Sequence, residues 1–510
     1  MNTKLLTTNW QRLPEATVRA LQADRLHRWL RDAVLPFSAH YRELFRQLKL
    51  TAEDFRSLDD LRRLPFTSKA DLLNTPDNPQ KARDFLLVPD RNVLSRRPSS
   101  ILRALLHGRA SVAQGFENEF RPIFLTSTTG RSADPVPFLY TNHDIANLQL
   151  AGERVFGVCG ARREDKLLNM FPYAPHLAFW LTHYGSTSFG VFTASTGGGK
   201  VMGTEGQIRF LRKIRPDVLI GMPTFVYHVL HQAAEEGVRC ENLRRIVLGG
   251  EKVPDGMRLK LRNLALELGA RELDVVTTYG FTEAKMAFAE CPVPVDEATS
   301  GYHLYPDLGV MEVVDPKSGE PVANGQPGEI VFTPLDSRGT VVLRYRTGDY
   351  IDGGLTYAAC PHCGRQMPRL FGKISRSSAF KEVQLDKIKG TLVDFNELEH
   401  VLDDAPNVGA WQIELRKTHD DPLEVDELVL HVQKINGADD DHLIHDLRAR
   451  LAARCEISPN RIEFHNAEKM RDLQGVGVQL KEQKLVDHRP KAGALASGPA
   501  MNGTLRKEAA

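Results

Sequence analysis

The chain has 510 residues, with 66 basic against 65 acidic side chains (net charge +1), 42% hydrophobic and 26% charged residues. That balance gives no support to a nucleic-acid groove or an anionic membrane surface as the main partner. The length exceeds one ordinary core, so two or more domains are expected. No stretch approaches a membrane span, and residues 1–12 carry no apolar leader core. Six cysteines in so long a chain do not form a disulfide scaffold, so reduced thiols and a cytoplasmic location are expected.

In chain order, residues 10–65 carry helical periodicity through Leu21, Leu26, Trp29, Leu30, Leu44, Leu48 and Phe55. Residues 64–69 read as a turn into a further helix, with Thr67 or Ser68 as its cap. Residues 91–109 hold five arginines, read either as a solvated basic segment or as a contact for a phosphorylated cosubstrate. From 165 to 285 short apolar runs alternate with helices near 225–236 and 254–268. The runs at 217–221, 245–249 and 274–280 read as buried strands, and the alternation implies a largely parallel sheet. Polar residues punctuate the ends of these runs at Gly221–Thr224, Gly249–Glu251 and Tyr279–Glu283, where ligands collect in such sheets. Residues 308–358 are rich in Val, Thr, Tyr and turn signals, which predicts antiparallel β structure. Beyond Gly372 the order of a helix over 395–402, strands over 411–416 and 427–433, and a helix over 439–455 fits a small α+β domain. Residues 490–510 are rich in Gly, Ala, Pro and Lys and read as a disordered tail.

Three short strings carry the chemistry. Thr126-Ser-Thr-Thr-Gly-Arg131 offers hydroxyls, backbone amides and a cation that can wrap a triphosphate, without being a P-loop. Tyr279-Gly-Phe-Thr-Glu283 places an aromatic beside an acid that can hold a metal, and Tyr345-Arg-Thr-Gly-Asp349 supplies an acid able to grip ribose hydroxyls.

In this order the strings resemble the core motifs of the adenylate-forming superfamily of acyl-CoA synthetases, most of all its phenylacetate-CoA ligase branch, over roughly residues 60–488. The resemblance implies an α/β fold: a large adenylation domain (1–372) with mostly parallel sheets and a β subdomain, and a small mobile α+β domain (373–489). It implies that Tyr279 stacks on adenine beside Gly280, that Thr282 touches the α-phosphate, that Glu283 binds Mg²⁺, and that Asp349 accepts the ribose hydroxyls. Gly249-Gly250-Glu251 is similar to the strand end that flanks adenine. In the phosphate loop of Thr126, Ser127, Thr128, Thr129, Gly130 and Arg131, Ser127 stands where the family has glycine and Arg131 where it has lysine. The C-terminal lysine motif places the catalytic lysine at Lys481, with Lys484 second, although the family's glycine is missing there. Arg376 is the candidate for the nucleotide-contacting arginine, while the family's hinge aspartates have no equivalents.

Cys360-Pro-His-Cys363 has the spacing of a zinc knuckle, and Cys291 with His303 supplies a second pair. Structural zinc is the leading reading, with free thiols and a nucleic-acid module as alternatives; His362 is crowded out as a ligand. Tyr173, Phe179, Trp180 and Phe225, with His176, Gly221 and Thr224, form a candidate wall for an aromatic carboxylate, or else are core packing. The expectation is therefore an ATP- and Mg²⁺-dependent enzyme that adenylates a small, aromatic carboxylic acid and passes it to coenzyme A. An amine, a carrier thiol or an inorganic group as acceptor, or a non-catalytic acyl-adenylate binder, stays open, as does a homodimer; no nucleic-acid or membrane partner is expected.

Overall fold

The computed structural model describes residues 9–128, 135–294, 297–376, 386–388, 391–393, 395–417, 426–435, 437–455, 457–476, 478 and 482–488. Two compact units divide the chain: Met1–Glu382 with Gly477–Leu480, and Val383–Val476 with Lys481–Ala510. The tail expected to be disordered, residues 490–510, lies outside the described residues. No described helix is long and apolar enough to cross a membrane.

The first unit opens with helices, among them Glu15–Trp29 and Ala39–Leu48, whose apolar residues Leu26, Trp29 and Phe45 are buried, as is Leu30 just beyond the first. Ser68 does cap the next helix, Lys69–Leu72: it and Asp71 satisfy each other's backbone amides in a capping box. The arginine-rich stretch folds as three helices, Arg91–Arg96, Pro98–His107 and Arg109–Phe120. It is anchored by Arg97 on Asp32 (3.1 Å) and by Phe116 and Phe120 edge-on to Phe37. Most of the segment beyond these contacts is solvent-exposed, including Leu102, Leu105 and Leu106.

Strands β1 (Phe124–Ser127) and β2 (Pro137–Tyr140) pair as a hairpin. Then come β3 (Lys166–Asn169), β4 (Phe192–Ser195), β5 (Val218–Gly221), β6 (Arg245–Leu248), β7 (Asp274–Phe281), β8 (Met286–Ala289) and β9 (Tyr302–His303). The next strands are β10 (Gly309–Val314), β11 (Gly328–Pro334), β12 (Tyr345–Ile351), β13 (Leu355–Thr356), β14 (Arg369–Leu370) and β15 (Ile374–Arg376). One nine-stranded sheet has the order β13-β14-β9-β8-β7-β6-β5-β3-β4. Its β4 to β7 part is parallel and its remainder antiparallel. β5 and β6 are buried at every position, as strands covered on both faces by helices must be. A second sheet, β10-β11-β12-β15, is antiparallel.

Two strand ends position the nucleotide motifs. Parallel pairing of β7 with β6 stops at Thr277 opposite Leu248, and from Thr278 to Phe281 the strand pairs with β8 instead. Tyr279 and Gly280 therefore ride on a strand that overshoots its parallel neighbours and ends at Phe281, one residue beyond the run 274–280 read as strand from the sequence. β15 returns the chain to β12, so that Arg376 lies in register with Asp349.

The second unit contains β16 (Asp386–Ile388), β17 (Thr391–Val393), the helix Phe395–Asp403, β18 (Val408–Lys417), β19 (Asp426–Lys434), the helix Asp440–Cys455, β20 (Arg461–His465), the helix Ala467–Gln474 and β21 (Leu485–Asp487). Alternation along β18 and β19 turns Trp411, Ile413, Leu415, Leu428, Leu430 and Val432 onto a core shared with Leu402, Leu443 and Leu447. Its sheet has the order β20-β19-β18-β21.

Candidate active site

At the overshooting end of β7, two acids are each held by a tyrosine from the opposite motif. The Tyr345 hydroxyl donates to Glu283 Oε1 at 2.6 Å, and the Tyr279 hydroxyl donates to Asp349 Oδ2 at 2.9 Å. The two strings, distant in sequence, are thereby locked crosswise. Glu283 sits in the single turn Thr282–Ala284 that follows β7, half-buried like Thr282. Asp349 is 7% exposed, and its amide donates to Thr347 Oγ1. Gly348 before it has φ 72, the left-handed backbone that brings the acid round in this strand. The Tyr279 ring leans on Phe281 and Tyr302, with centroids 5.6 and 5.8 Å away.

Gly249, Gly250 and Glu251 follow the end of β6 beside this site. A Cβ on Gly249 would stand 2.4 Å from Thr278 Oγ1, so only glycine lets the two strand ends approach so closely. Glu251 Oε2 accepts a hydrogen bond from the buried Thr224 hydroxyl at 3.3 Å, and Gly221 is buried at the end of β5.

The phosphate-loop string begins inside β1. Thr126 is buried with its hydroxyl 3.0 Å from that of Tyr140, and the Thr128 hydroxyl accepts from the Val136 amide at 3.0 Å. Ser127 meets the aromatic string directly: its amide donates to Pro175 O at 2.6 Å, and its carbonyl lies 3.1 Å from His176 Nδ1. Thr129, Gly130 and Arg131 lie outside the described residues. Tyr173, Phe179 and Trp180 form one aromatic cluster with centroids 5.2 to 5.7 Å apart, Tyr173 exposed and Phe179 buried. Phe225 is buried in the helix Pro223–Glu235.

Lys285, which sequence patterning does not single out, follows directly on the turn that bears Glu283. It closes the Glu283 turn in the left-handed conformation, φ 58. Its ammonium is buried 3.3 Å from Asp144, donates to Leu139 O at 2.8 Å and lies 4.8 Å from the Tyr140 ring centre. Burial pulls its pKa down, with Asp144 opposing that shift. Through Tyr140 and its contact with Thr126, this lysine ties the glutamate turn to the phosphate-loop strand.

Cys291, His303, Cys360 and Cys363 converge, with one ligand atom from each within 4.8 Å of the others. Cys291 Sγ lies 3.7 Å from Cys360 Sγ, and Cys363 Sγ lies 3.3 Å from His303 Nε2. A zinc ion with bonds of about 2.3 Å to sulfur and 2.0 Å to nitrogen spans tetrahedral edges of about 3.5–3.8 Å, so these residues fit the ion. His303 turns its other nitrogen to Ala289 O (3.2 Å), the orienting contact a metal-bound imidazole needs. Hydrogen bonding, first from Cys291, holds the Cys363 thiol below its ordinary value. Cys159 and Cys240 instead are pushed up by burial, to about 12 and about 11, and stay protonated. His362 faces Ala298 O and Glu297, away from the cluster. Gly301, φ +88, is required here because a Cβ would stand 2.1 Å from Leu370 O. Ser300, 3.0 Å from Cys360 Sγ, is a neighbour that no spacing rule marks.

Lys481 lies outside the described residues, and of Arg376 only the backbone is described. Lys484 is engaged within the second unit: it pairs with Asp403 at 3.0 Å and lies 4.8 Å from the Trp411 ring centre.

Residues 140–334 match the family described as AMP-binding enzyme. The chain is 29% identical over 457 residues to a phenylacetate-coenzyme A ligase of Thermus thermophilus, covering 86% of this chain and 90% of that protein. It is 28% identical over 370 residues to a phenylacetate-coenzyme A ligase of Pseudomonas putida, covering 71% and 72%. Among solved structures, a 2-hydroxyisobutyryl-CoA ligase in the postadenylation state superposes with a TM-score of 0.70 at 18% identity, over 94% of this chain and 91% of that one. This last likeness is one of fold.

Proposed function

The chain belongs to the adenylate-forming enzymes, on their phenylacetate-CoA ligase-like branch, and on that premise we propose that it joins a carboxylic acid to coenzyme A through an acyl-adenylate. The observation that carries this reading is the crosswise locking of Glu283 by Tyr345 and of Asp349 by Tyr279 at the end of β7. In this reading Asp349 accepts the ribose hydroxyls, and the Tyr279 ring covers adenine beside Gly249 to Glu251. Thr282 and the hydroxyls and amides of residues 126–131 serve the phosphates. Glu283 would hold Mg²⁺, whose charge offsets that of the phosphate oxygens. A carboxylate oxygen then attacks the α-phosphorus and pyrophosphate leaves. Holding the reactants in line is the main demand on the protein.

Lys481 would add positive charge to this step, carried by the small unit as a mobile domain. In the second step the coenzyme A thiolate attacks the acyl carbon, and AMP leaves. The exposed Tyr173 and the aromatic cluster behind it favour an aromatic acid. The cysteine–histidine cluster would hold zinc as a brace, since four protein ligands leave no position for substrate.

The test is product analysis. The enzyme is incubated with ATP, Mg²⁺, coenzyme A and a panel of aryl and arylacetic acids. One acid should yield AMP and its thioester in equal amounts. ADP as the product would overturn the reading, and acid-dependent AMP without thioester would move the acceptor away from coenzyme A.

A further inference from the structure

The second unit carries a polar cluster outside this chemistry. Alternation along its sheet buries one face, so the residues between the core positions share the other face. Gln412 lies opposite His431 across β18 and β19, and β19 pairs in parallel with β20, setting His431 beside Glu463 and Gln433 beside His465. His431, Glu463 and His465 thus meet on one side of two adjacent strands. His431 Nδ1 is 3.0 Å from His465 Nε2 and 3.5 Å from Glu463 Oε2, and His465 Nε2 is 3.7 Å from the same oxygen.

Those three separations outline a triangle around a common point. Bonds of about 2.0–2.1 Å to nitrogen and oxygen in a tetrahedral zinc site require ligand-to-ligand edges of about 3.3 Å. The observed triangle falls on either side of that length. The second nitrogen of His431 lies 3.1 Å from Glu414 Oε2. If that nitrogen donates to the carboxylate, Nδ1 keeps its lone pair for a cation. Carboxylate–histidine contacts of this kind orient metal-binding imidazoles. Neighbouring charges on the same face behave differently: Glu427 pairs with Arg416 and Arg461 in ordinary ion pairs. Among the described residues of this unit, the histidine group is where acceptor atoms from three residues converge. The His431 side chain is 8% exposed and that of Glu463 40%, so solvent reaches the carboxylate side.

We propose that His431 Nδ1, His465 Nε2 and Glu463 Oε2 form a second metal site, taking a divalent ion of the zinc, cobalt or nickel class. Glu414 orients His431, and a water or an external donor fills the remaining position. The ion would cross-link the side chains of β19 and β20 on top of their main-chain pairing.

Cobalt(II) separates this site from the cysteine cluster, because only thiolate ligands give an intense near-ultraviolet charge-transfer band. Untagged full-length protein, stripped of metal, is titrated with cobalt and followed by absorption. The proposal predicts one equivalent whose visible bands appear without any thiolate band, retained in Cys363→Ser. Glu463→Gln and His465→Ala should each lose it, and Glu414→Gln should weaken it about 10–100-fold. Circular dichroism establishes that each variant is folded. Absence of such an equivalent in the unaltered protein, or its persistence in folded His431→Ala/His465→Ala, overturns the proposal.

Discussion

Replacing Lys285 by methionine probes the link between the glutamate turn and the phosphate-loop strand. The lysine and Asp144 side chains are 5% and 1% exposed, so the pair is effectively out of water. Breaking a buried pair by removing one partner costs about 3–5 kcal/mol in general, because a charge is left uncompensated. Here Asp144 retains four donors: the Thr141 amide and hydroxyl (3.0 and 3.2 Å), the Arg338 amide (3.1 Å) and the Gly339 amide (2.6 Å). They put Lys285→Met at the lower end, about 3 kcal/mol. Asp144→Asn should cost more, nearer 5 kcal/mol, since the ammonium is then left with one carbonyl and the Tyr140 ring. The double variant should be less destabilised than the sum by about 2 kcal/mol, as expected of residues in contact. Urea unfolding of the full chain, followed by tryptophan fluorescence, measures all three. Pyrophosphate exchange at a temperature where Lys285→Met is folded should fall at least about tenfold, because the turn bearing Glu283 shifts. A cost below about 1 kcal/mol, or strict additivity of the two substitutions, would refute the reasoning.

Three further predictions concern the site. Asp349→Asn should raise KM for ATP about 10–100-fold, the loss of one charge-assisted hydrogen bond's worth of binding or slightly more, and an unchanged KM would remove Asp349 from the nucleotide. Lys481→Ala should slow acyl-adenylate formation severely, whereas Lys484→Ala, which leaves the buried Asp403 carboxylate without its paired cation though still held by the Trp411 indole N–H (2.7 Å), should lower the melting temperature and leave the chemistry nearly intact; the reverse pattern would exchange their roles. Purified protein should contain stoichiometric zinc in the cysteine cluster, and a strong chelator or Cys360→Ser should lower thermal stability; full stability without zinc would leave these residues as plain thiols.

Much of the architecture was legible because its signals are local. β5 and β6 read as uninterrupted apolar runs since both faces are covered, and the residues after them read as a site since a parallel sheet collects polar groups at its strand ends. The amphipathic helices and paired strands of the second unit follow from periodicity in the same way. β7 reads as a strand through Gly280, but the partner of its last residues does not, because Thr278 to Phe281 pair antiparallel with β8 rather than with β6. Tyr345 stands inside a recognised string, yet its grip on Glu283 depends on two sheets meeting. Lys285 with Asp144, and Ser300 beside Cys360, are pairings across the chain for which sequence spacing holds no cue. All four members of the cysteine and histidine quartet were legible, the knuckle spacing marking one pair and Cys291 with His303 supplying the other, whereas the way they meet depends on the register of β9 against β8.

Oxygen transfer tests the central claim most directly. A carboxylic acid substrate labelled with heavy oxygen in its carboxylate is turned over with ATP and coenzyme A, and the products are examined by mass spectrometry. Attack on the α-phosphorus predicts one labelled oxygen in AMP and none in pyrophosphate. Label in inorganic phosphate, with ADP formed in place of AMP, would contradict the account.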